Sequence, residues 1–335
     1  MLLLENPLTL PENLRGGVVA IGNFDGVHRG HQRLLSEARQ RASEAGKPWG
    51  VVTFEPHPRS HFKPGEPVFR LTPLPMKARL IGALGASYAE VIPFNKELAS
   101  LEAEDFVRLH LAERLGVSHV VTGYDFHFGR GRRGNSEIMR QLGQKLGFGV
   151  SAVEQVTDGR NGGAPFASSS IRSALRRGHV PQANHELGYM WTIMGAVVEG
   201  DKRGRQIGFP TINIVLEKGA EPYRGIYAVR VRYADRPKDP IWRGAGYFGD
   251  RPTFETNRSF LEVFLLDFDG DLYGRTMMVE FARLIRPDRR FASVGELTAQ
   301  MRDDCGQAAA ILGENERANP LLGFELGRLQ QDGKV

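Results

Sequence analysis

The feature that most constrains this chain is a change of rhythm along it. In the first half, short apolar runs rich in β-branched residues recur at 17–21 (GVVAI), 50–54 (GVVTF), 88–94 (YAEVIPF), 119–123 (HVVTG) and 149–156 (GVSAVEQV). Stretches of helical spacing lie between them, at 31–45, 75–84, 103–115 and 135–147. In the first of these, Leu34, Leu35, Ala38, Ala42 and Ala45 fall on one face. Apolar strands that alternate with amphipathic helices predict a parallel sheet with crossover connections, covered by helices. The alternation ends near residue 156 in the loop TDGRNGGAPFA. SSSIRSALRRG then predicts a helix with serines at its start and Gly178 at its end, and a second short helix follows at 181–187. From about residue 192 the strand-like runs TIMGAVVEG, PTINIVL, GIYAVRVRY, IWRGAGYFG, SFLEVFLLDF and TMMVEFARLIR succeed one another without helices. Six such runs predict a small antiparallel barrel or sandwich, and the tail from SVGELTAQMRDD is helical again. The change of pattern puts a boundary near 186–191, hence domains 1–185 and 186–335.

A chain of 335 residues has room for two such domains, and 41% apolar with 25% charged residues is a globular composition. The net charge of +5 is carried mostly by arginine, whose fork suits anionic small molecules. No block of like charges marks a nucleic-acid tail, so no nucleic-acid partner is expected. The single cysteine, Cys305, excludes a disulfide framework and a cysteine-built zinc cluster, and fits a reducing compartment. The start MLLLENPLTLPENL has no basic segment ahead of an apolar core, and no apolar run has bilayer length. A cytoplasmic protein without a membrane partner is the expectation. A homo-oligomer is compatible with the chain, which does not set the number of copies.

The stretch GNFDGVHRGH (22–31) joins the first predicted strand to the first predicted helix. Ligands of parallel sheets bind at the carboxyl ends of the strands, and a helix start favours an anion. Glycines let a ligand approach the backbone closely. His28 and His31, three residues apart, share a helix face and can hydrogen-bond one phosphate group together. No third ligand at metal-site spacing accompanies them. The alternative is a pair of solvated histidines in an ordinary turn, and the position after the first strand favours phosphate.

The same ten residues resemble the nucleotidyltransferase signature GxFDxxHxGH, in which the histidines stabilise the α-phosphate of ATP as pyrophosphate leaves. Class I aminoacyl-tRNA synthetases share HxGH, but this chain has no KMSKS element. TFEPHP (53–58), TGYDFHFGRGRRGN (122–135) and SSSIRSALRRG (168–178) resemble, in that order, the adenylyltransferase half of the bacterial bifunctional riboflavin kinase/FAD synthetase. This resemblance runs from about residue 16 to 178 and implies a Rossmann-like nucleotidyltransferase fold. It also implies that His28, His31 and Arg172 are catalytic, and that Gly22, Asn23, Phe24, Asp25, Gly30, Asp125 and Ser169 contact ATP or flavin. Arg172 would grip phosphates where a synthetase uses the KMSKS lysines. The chain departs from the family in His127, commonly Arg, and Ser170, commonly Thr. From the residues alone, Asp125 could bond its own turn, the serines could only cap a helix, and Arg172 could be a solvated charge. GRGRRG could be a surface loop or an RNA contact.

In the second half, EGDKRGRQIGFPTINI (199–214) spaces Gly200, Gly204 and Gly208 four residues apart and lacks the ending of a Walker loop. It could wrap a nucleotide or be a loose hairpin loop. Thr211 and Asn213 alternate with Ile212 and Ile214 on a strand and so share a face. Their neutral oxygens suit Mg²⁺ that arrives with nucleotide phosphates; the alternative is a solvated polar face. Glu262 has apolar neighbours on both faces of its run, Phe260, Phe264 and Leu266 beside it and Leu261, Val263 and Leu265 opposite. An acid there is costly unless paired or functional, which makes it a candidate general base or half of a buried ion pair.

These residues resemble the riboflavin kinase domain of the same bifunctional family over about 186–335. GFPTIN matches its GFPTAN element, GDRPTF its RPTF element, and DLYGR follows the acidic strand as usual. The resemblance implies a six-stranded Greek-key barrel with a C-terminal helix. It also implies Mg²⁺ on Thr211 and Asn213, nucleotide contacts from Gly200, Gly204, Gly208 and Pro210, and Glu262 as the base for the ribityl 5′-hydroxyl. Ile212 stands for the usual Ala, and Tyr247 near the usual Asn. The expected activity is therefore flavin cofactor synthesis with riboflavin, FMN and ATP as partners, and FAD and pyrophosphate as products. Two other readings stand beside it: an adenylyltransferase whose barrel only binds flavin, and a non-catalytic nucleotide- or RNA-binding protein on the HxGH scaffold.

Overall fold

A computed structural model describes every residue except 8, 64, 67, 158, 160–162, 201–203, 205–207, 217–218, 237 and 251–258; of 250, 259 and 260 it describes the backbone alone. The chain divides into two compact units, Met1–Val68 with Pro73–Ala167, and Phe69–Thr72 with Ser168–Val335.

The first unit is built on six parallel strands: β1 (Leu2–Glu5), β2 (Val18–Ile21), β3 (Trp49–Glu55), β4 (Tyr88–Pro93), β5 (His119–Gly123) and β6 (Gly149–Val153), in the order β1-β4-β3-β2-β5-β6. The five expected strands are present within a few residues of their predicted ends. β1 is an addition to them. Its LLLE has no alternation to read, and three of its four residues are exposed at the sheet edge.

From β2 the chain lays strands outward through β3 to β4, then returns to β2's other side for β5 and β6. The order therefore reverses at β2 and β5, the place where open parallel sheets bind ligands. Helix Arg29–Ala45 packs on β2, β3 and β5 and buries Leu34, Leu35, Ala38 and Ala42. Ala45, expected on that face, is exposed in the last turn. The other sheet face carries Val19, Ile21, Val52, Phe54, Ile92 and Val120 in a core shared with Phe106, Val107, Leu111 and Leu115. The helix expected at 103–115 forms, but after Ala103–Phe106 its turns widen to the π form over Val107–Leu115.

The second unit holds a closed antiparallel barrel of β7 (Thr192–Val198), β8 (Thr211–Val215), β9 (Gly225–Tyr233), β10 (Trp242–Asp250), β11 (Ser259–Leu265) and β12 (Thr276–Pro287), in the order β10-β11-β8-β7-β12-β9. Pairing of β8 with β11 and of β7 with β12 supplies the long returns of a Greek key. Period two sends Ile214, Val229, Val231, Leu261, Val263, Val279 and Phe281 to a buried interior. Helix Val294–Arg317 packs on β9, β10 and β12, burying Ala308 and Leu312 against Ala228 and Ala282. Arg230 and Arg232 share the carboxylate of Glu280, with N–O distances of 2.7 and 2.8 Å, and all three side chains are buried.

The compact units divide at Ser168, ahead of the change of pattern at 186–191. Helices Ser168–Arg176 and Val180–Leu187 pack on each other, and the second packs on β12. Asn184 fastens it there: its Nδ2 donates to Phe281 O and its Oδ1 accepts from Trp191 N, both at 2.8 Å. The segment Phe69–Thr72 joins this unit through Trp191 Nε1, which donates to Leu71 O at 3.0 Å.

Candidate functional sites

The turn after β2 is tightly specified. Gly22 N donates to Val52 O at 3.1 Å, ending the strand, and Phe24 and Val27 then adopt positive φ of 49° and 40° around Gly26. Helix Arg29–Ala45 begins with His28 as its cap: His28 Nδ1 accepts from His31 N at 3.4 Å. The two imidazoles stack with centroids 3.6 Å apart, and the edge of Phe24 meets His31 at 5.4 Å. Gly22 and Gly30 are explained by these rings. A Cβ on Gly22 would lie 3.2 Å from the Phe24 ring, and one on Gly30 would lie 3.1 Å from the His28 ring. Asp25 and His28 are buried, and two further polar atoms, Asn23 Oδ1 and His31 Nδ1, are buried without a hydrogen-bond partner. Burial first, then the nearby charges of His28 and Lys77, holds the His31 imidazole well below its ordinary pKa. It is therefore neutral at neutral pH, a hydrogen-bonding group rather than a cation.

The structure thus brings together Gly22, Asn23, Phe24, Asp25, His28, Gly30 and His31. Asp125 follows the end of the neighbouring strand β5, where its carboxylate is exposed. GRGRRG is a tight loop closed by reciprocal backbone bonds between Phe128 and Gly134. It exposes Arg130, Arg132 and Arg133, and Arg130 pairs with Glu102 at 2.7 Å. Ser169 and Arg172 belong to the second unit, on helix Ser168–Arg176. Arg172 is not simply a solvated charge, since its Nε donates to Phe69 O at 2.7 Å. Ser170 Oγ donates to Glu186 Oε1 at 3.0 Å.

Two features of the first unit have no counterpart among the sequence motifs. One is an aromatic run at the carboxyl ends of β3 and β4. Phe54, Phe94, His61 and Phe62 touch ring to ring, and Phe62 is 67% exposed. Its residues come from separate elements, so only the fold assembles it. The other is Lys77, buried among Met76, Leu80 and Ile81 on helix Leu74–Ala83. A lysine inside an apolar helical stripe is the signal that could have found it.

On the barrel, strand register sets a polar row. Asn213 on β8 lies directly opposite Glu262 on β11, which lies directly opposite Tyr247 on β10. Thr211, two residues before Asn213, shares that face. Glu262 is half-buried on this outer face, not enclosed by the apolar interior that Leu261, Val263 and Leu265 form. Tyr247 Oη donates to Asp288 Oδ2 at 3.1 Å. Burial and the charges of Asp288 and Glu262 push its phenol up to about 12. Ile212 lies opposite Val263, on the interior face, and so points away from Thr211 and Asn213.

Gly200 lies on the Asn213 carboxamide, where any Cβ would collide, and Phe209 N donates to Gly204 O at 2.8 Å. Gly208 has a φ of 85°, and Pro210 is exposed beside it. Asn213 is 5% exposed, and its Oδ1 is buried without a hydrogen-bond partner. A buried amide oxygen, a threonine hydroxyl on the same face and a carboxylate opposite make a donor set suited to a hard divalent cation. The RPTF element, 251–254, lies outside the described residues.

Comparison with known proteins finds matches to both halves of the chain. Residues 10–163 match the FAD synthetase family and residues 187–312 the riboflavin kinase family. A bifunctional riboflavin kinase/FMN adenylyltransferase of Pseudomonas fluorescens is 40% identical over 302 residues, 90% of this chain and 94% of that relative. Its namesake in Escherichia coli K12 is 38% identical over 289 residues, 86% of this chain and 90% of that one. A crystal structure described as a macrolide-efflux protein from Streptococcus pneumoniae superposes with a TM-score of 0.78 at 28% identity, covering 91% of this chain and 97% of that one. No helix among the described residues of the present chain is long and apolar enough to cross a membrane. With a parallel sheet in one unit, a closed barrel in the other, and family models and relatives matched across both, the chain belongs to the bifunctional riboflavin kinase/FMN adenylyltransferase family.

Proposed function

We propose that residues 1–185 carry adenylyl transfer and residues 186–335 carry phosphoryl transfer, with the residues described above in the following roles. The chain phosphorylates riboflavin to FMN and adenylylates FMN, the two activities its family is named for, with ATP as donor in each.

In the barrel, the ribityl 5′-hydroxyl gives its proton to Glu262 while its oxygen attacks the γ-phosphorus of ATP and ADP leaves. Thr211 and Asn213 would hold Mg²⁺, the latter through its buried Oδ1. When bound with ATP, the ion would draw charge from the phosphate oxygens. Gly208, with open space where a Cβ would lie, lets the nucleotide approach the backbone, while Gly200 and Gly204 are packed against Asn213 and Phe209 and Pro210 flanks the site. Tyr247, tied to Asp288, forms a fixed wall beside Glu262. Ile212 and Tyr247 are the two departures that favour a barrel that only binds flavin. With Ile212 on the interior face, one of those two reasons no longer applies.

In the first domain, a phosphate oxygen of FMN attacks the α-phosphorus of a second ATP, giving FAD and pyrophosphate. His28 and His31 donate to the α-phosphate oxygens, Arg172 and Ser169 bind phosphate, and Asn23, Asp25 and Asp125 line the nucleotide site. The exposed Phe62 with Phe94 offers a stacking face for the isoalloxazine. Catalysis here is positional and electrostatic. A cytoplasmic location belongs to the same proposal and rests on the ATP requirement and the free Cys305.

The observation that carries this reading is the stacked imidazole pair at the start of helix Arg29–Ala45, at the reversal point of the sheet. The test supplies riboflavin or FMN with ATP-Mg²⁺ and identifies the flavin products. His28→Ala with His31→Ala should abolish FAD formation and leave riboflavin phosphorylation intact. Glu262→Gln should do the reverse, still converting supplied FMN to FAD. A double histidine variant that adenylylates at the parental rate removes the histidines from the mechanism, and an unchanged kinase in Glu262→Gln removes the base.

A further inference from the structure

The roles above leave Lys77 without one, although its setting is unusual. It is 4% exposed on the buried face of helix Leu74–Ala83. An ammonium is withdrawn from water only where partners offset its lost hydration. Those partners stand on β3: Nζ lies 3.1 Å from Glu55 Oε1 and 3.5 Å from Thr53 Oγ1. Thr53 in turn donates through Oγ1 to Asn23 O at 3.3 Å. A hydroxyl that gives its one proton to Asn23 can only accept from Lys77. The contacts therefore run in one direction, from the ammonium through Thr53 into the turn that carries both histidines.

We propose that Lys77, held by Glu55 and Thr53, is a positioning residue of the adenylyl-transfer site, fixing the Asn23–His31 turn and setting an ammonium beside its histidines. The proposal rests on the reading of His28 and His31 as the α-phosphate site.

The charged groups that act on His31 are His28 from its own turn and Lys77 from the helix, and Glu55 on β3 pairs with Lys77. It is the ammonium end of the Lys77–Glu55 pair that bears on His31, where it acts with burial and His28 to disfavour the imidazolium. A neutral His31 donates a hydrogen bond without contributing charge. Negative charge that develops on the α-phosphate then meets a fixed cation whose position does not depend on a proton. Simple neutralisation of Glu55 does not explain the arrangement, because apolar residues of similar volume serve stability as well as a buried pair does.

The test compares Lys77→Met, Lys77→Arg and the double variant Glu55→Gln with Lys77→Met. Each is assayed as the full chain for FAD formation, for riboflavin phosphorylation and for thermal midpoint. Lys77→Met should lower kcat for FAD formation about tenfold or more, the size of effect expected when a preorganised charge is lost. Its riboflavin phosphorylation should stay at the parental rate. Lys77→Arg should recover part of the loss. The double variant leaves no buried charge without its partner, so it should melt like the parent and remain slow. With Lys77 gone, His31 protonates at a higher pH, and the acid limb of the FAD-formation profile should move upward. A double variant that forms FAD at the parental rate overturns the proposal, since Lys77 would then be only a partner for Glu55. A double variant that is slow but keeps the parental acid limb overturns it equally. The variant lacking both histidines, run in parallel, separates the two ideas: if it stays active the histidine reading fails, and if it is inactive while the Lys77 variants are fast only the Lys77 role fails.

Discussion

At the scale of single residues, two of the three glycines of GNFDGVHRGH, Gly22 and Gly30, are places where aromatic rings lie against the backbone. A Cβ on Gly30 would sit 3.1 Å from the His28 ring, so alanine there must push the ring by a few tenths of an ångström. Alanine is also the better helix former, by about 1 kcal/mol. Gly30→Ala should therefore hold or raise the thermal midpoint while FAD formation falls and riboflavin phosphorylation stays constant, a combination read by melting and paired assays. The histidines, glycines and Asn213 were legible because their meaning is local in sequence. Lys77 was not, because its partners Thr53 and Glu55 lie 24 and 22 residues earlier and only the packing of a helix on β3 unites them. Tyr247 was visible as a departure from its family, but its anchor Asp288 is 41 residues away.

At the scale of elements, legibility followed periodicity. The six barrel strands were readable because period two separates an apolar interior from a polar outer face, and the central parallel strands because they are short apolar runs between helices. That same rule misplaced Glu262 among apolar side chains, since Phe264 and Leu266 beside it are only half-buried on the barrel exterior. The widened turns of Val107–Leu115 left no sequence signature. They do have an energetic one. His110 on that segment is buried, with Nδ1 unpartnered, and burial with the nearby Arg114 lowers its pKa to about 4. The folded state thus keeps His110 neutral where the unfolded chain protonates it near pH 6.5. The associated stability is complete above that value and is lost as pH falls toward 4. Linkage puts the loss between pH 7 and pH 5 at about 2 kcal/mol. His31 and His119 are lowered too and act in the same direction. Denaturant titration at the two pH values should show His110→Leu less pH-sensitive than the parent by about that 2 kcal/mol.

At the scale of the whole molecule, both units set ion pairs among apolar layers, Lys77 with Glu55 and Arg114 with Glu90 in the sheet unit and the buried Arg230–Glu280–Arg232 group in the barrel unit, which also has a C-terminal tie. In that tie Gln330 Oε1 accepts from Met190 N at 2.8 Å and its Nε2 donates to Met190 O at 3.0 Å. Glu280→Gln withdraws the carboxylate that both guanidiniums share, and breaking a buried pair costs about 3–5 kcal/mol. Riboflavin phosphorylation should then be lost at a lower denaturant concentration than in the parent, as a titration of residual kinase activity would show.

Closure has a colloidal consequence as well. A closed barrel has no free strand edge, whereas the open sheet ends at β1 and at β6, and Leu2 and Leu3 of β1 are exposed, as is Met1 just before it. An open edge with exposed apolar side chains is a template on which another chain can add a strand. Association by strand addition is therefore expected at the first unit, and a lysine placed on β1 should lower it, as light scattering at rising concentration would show.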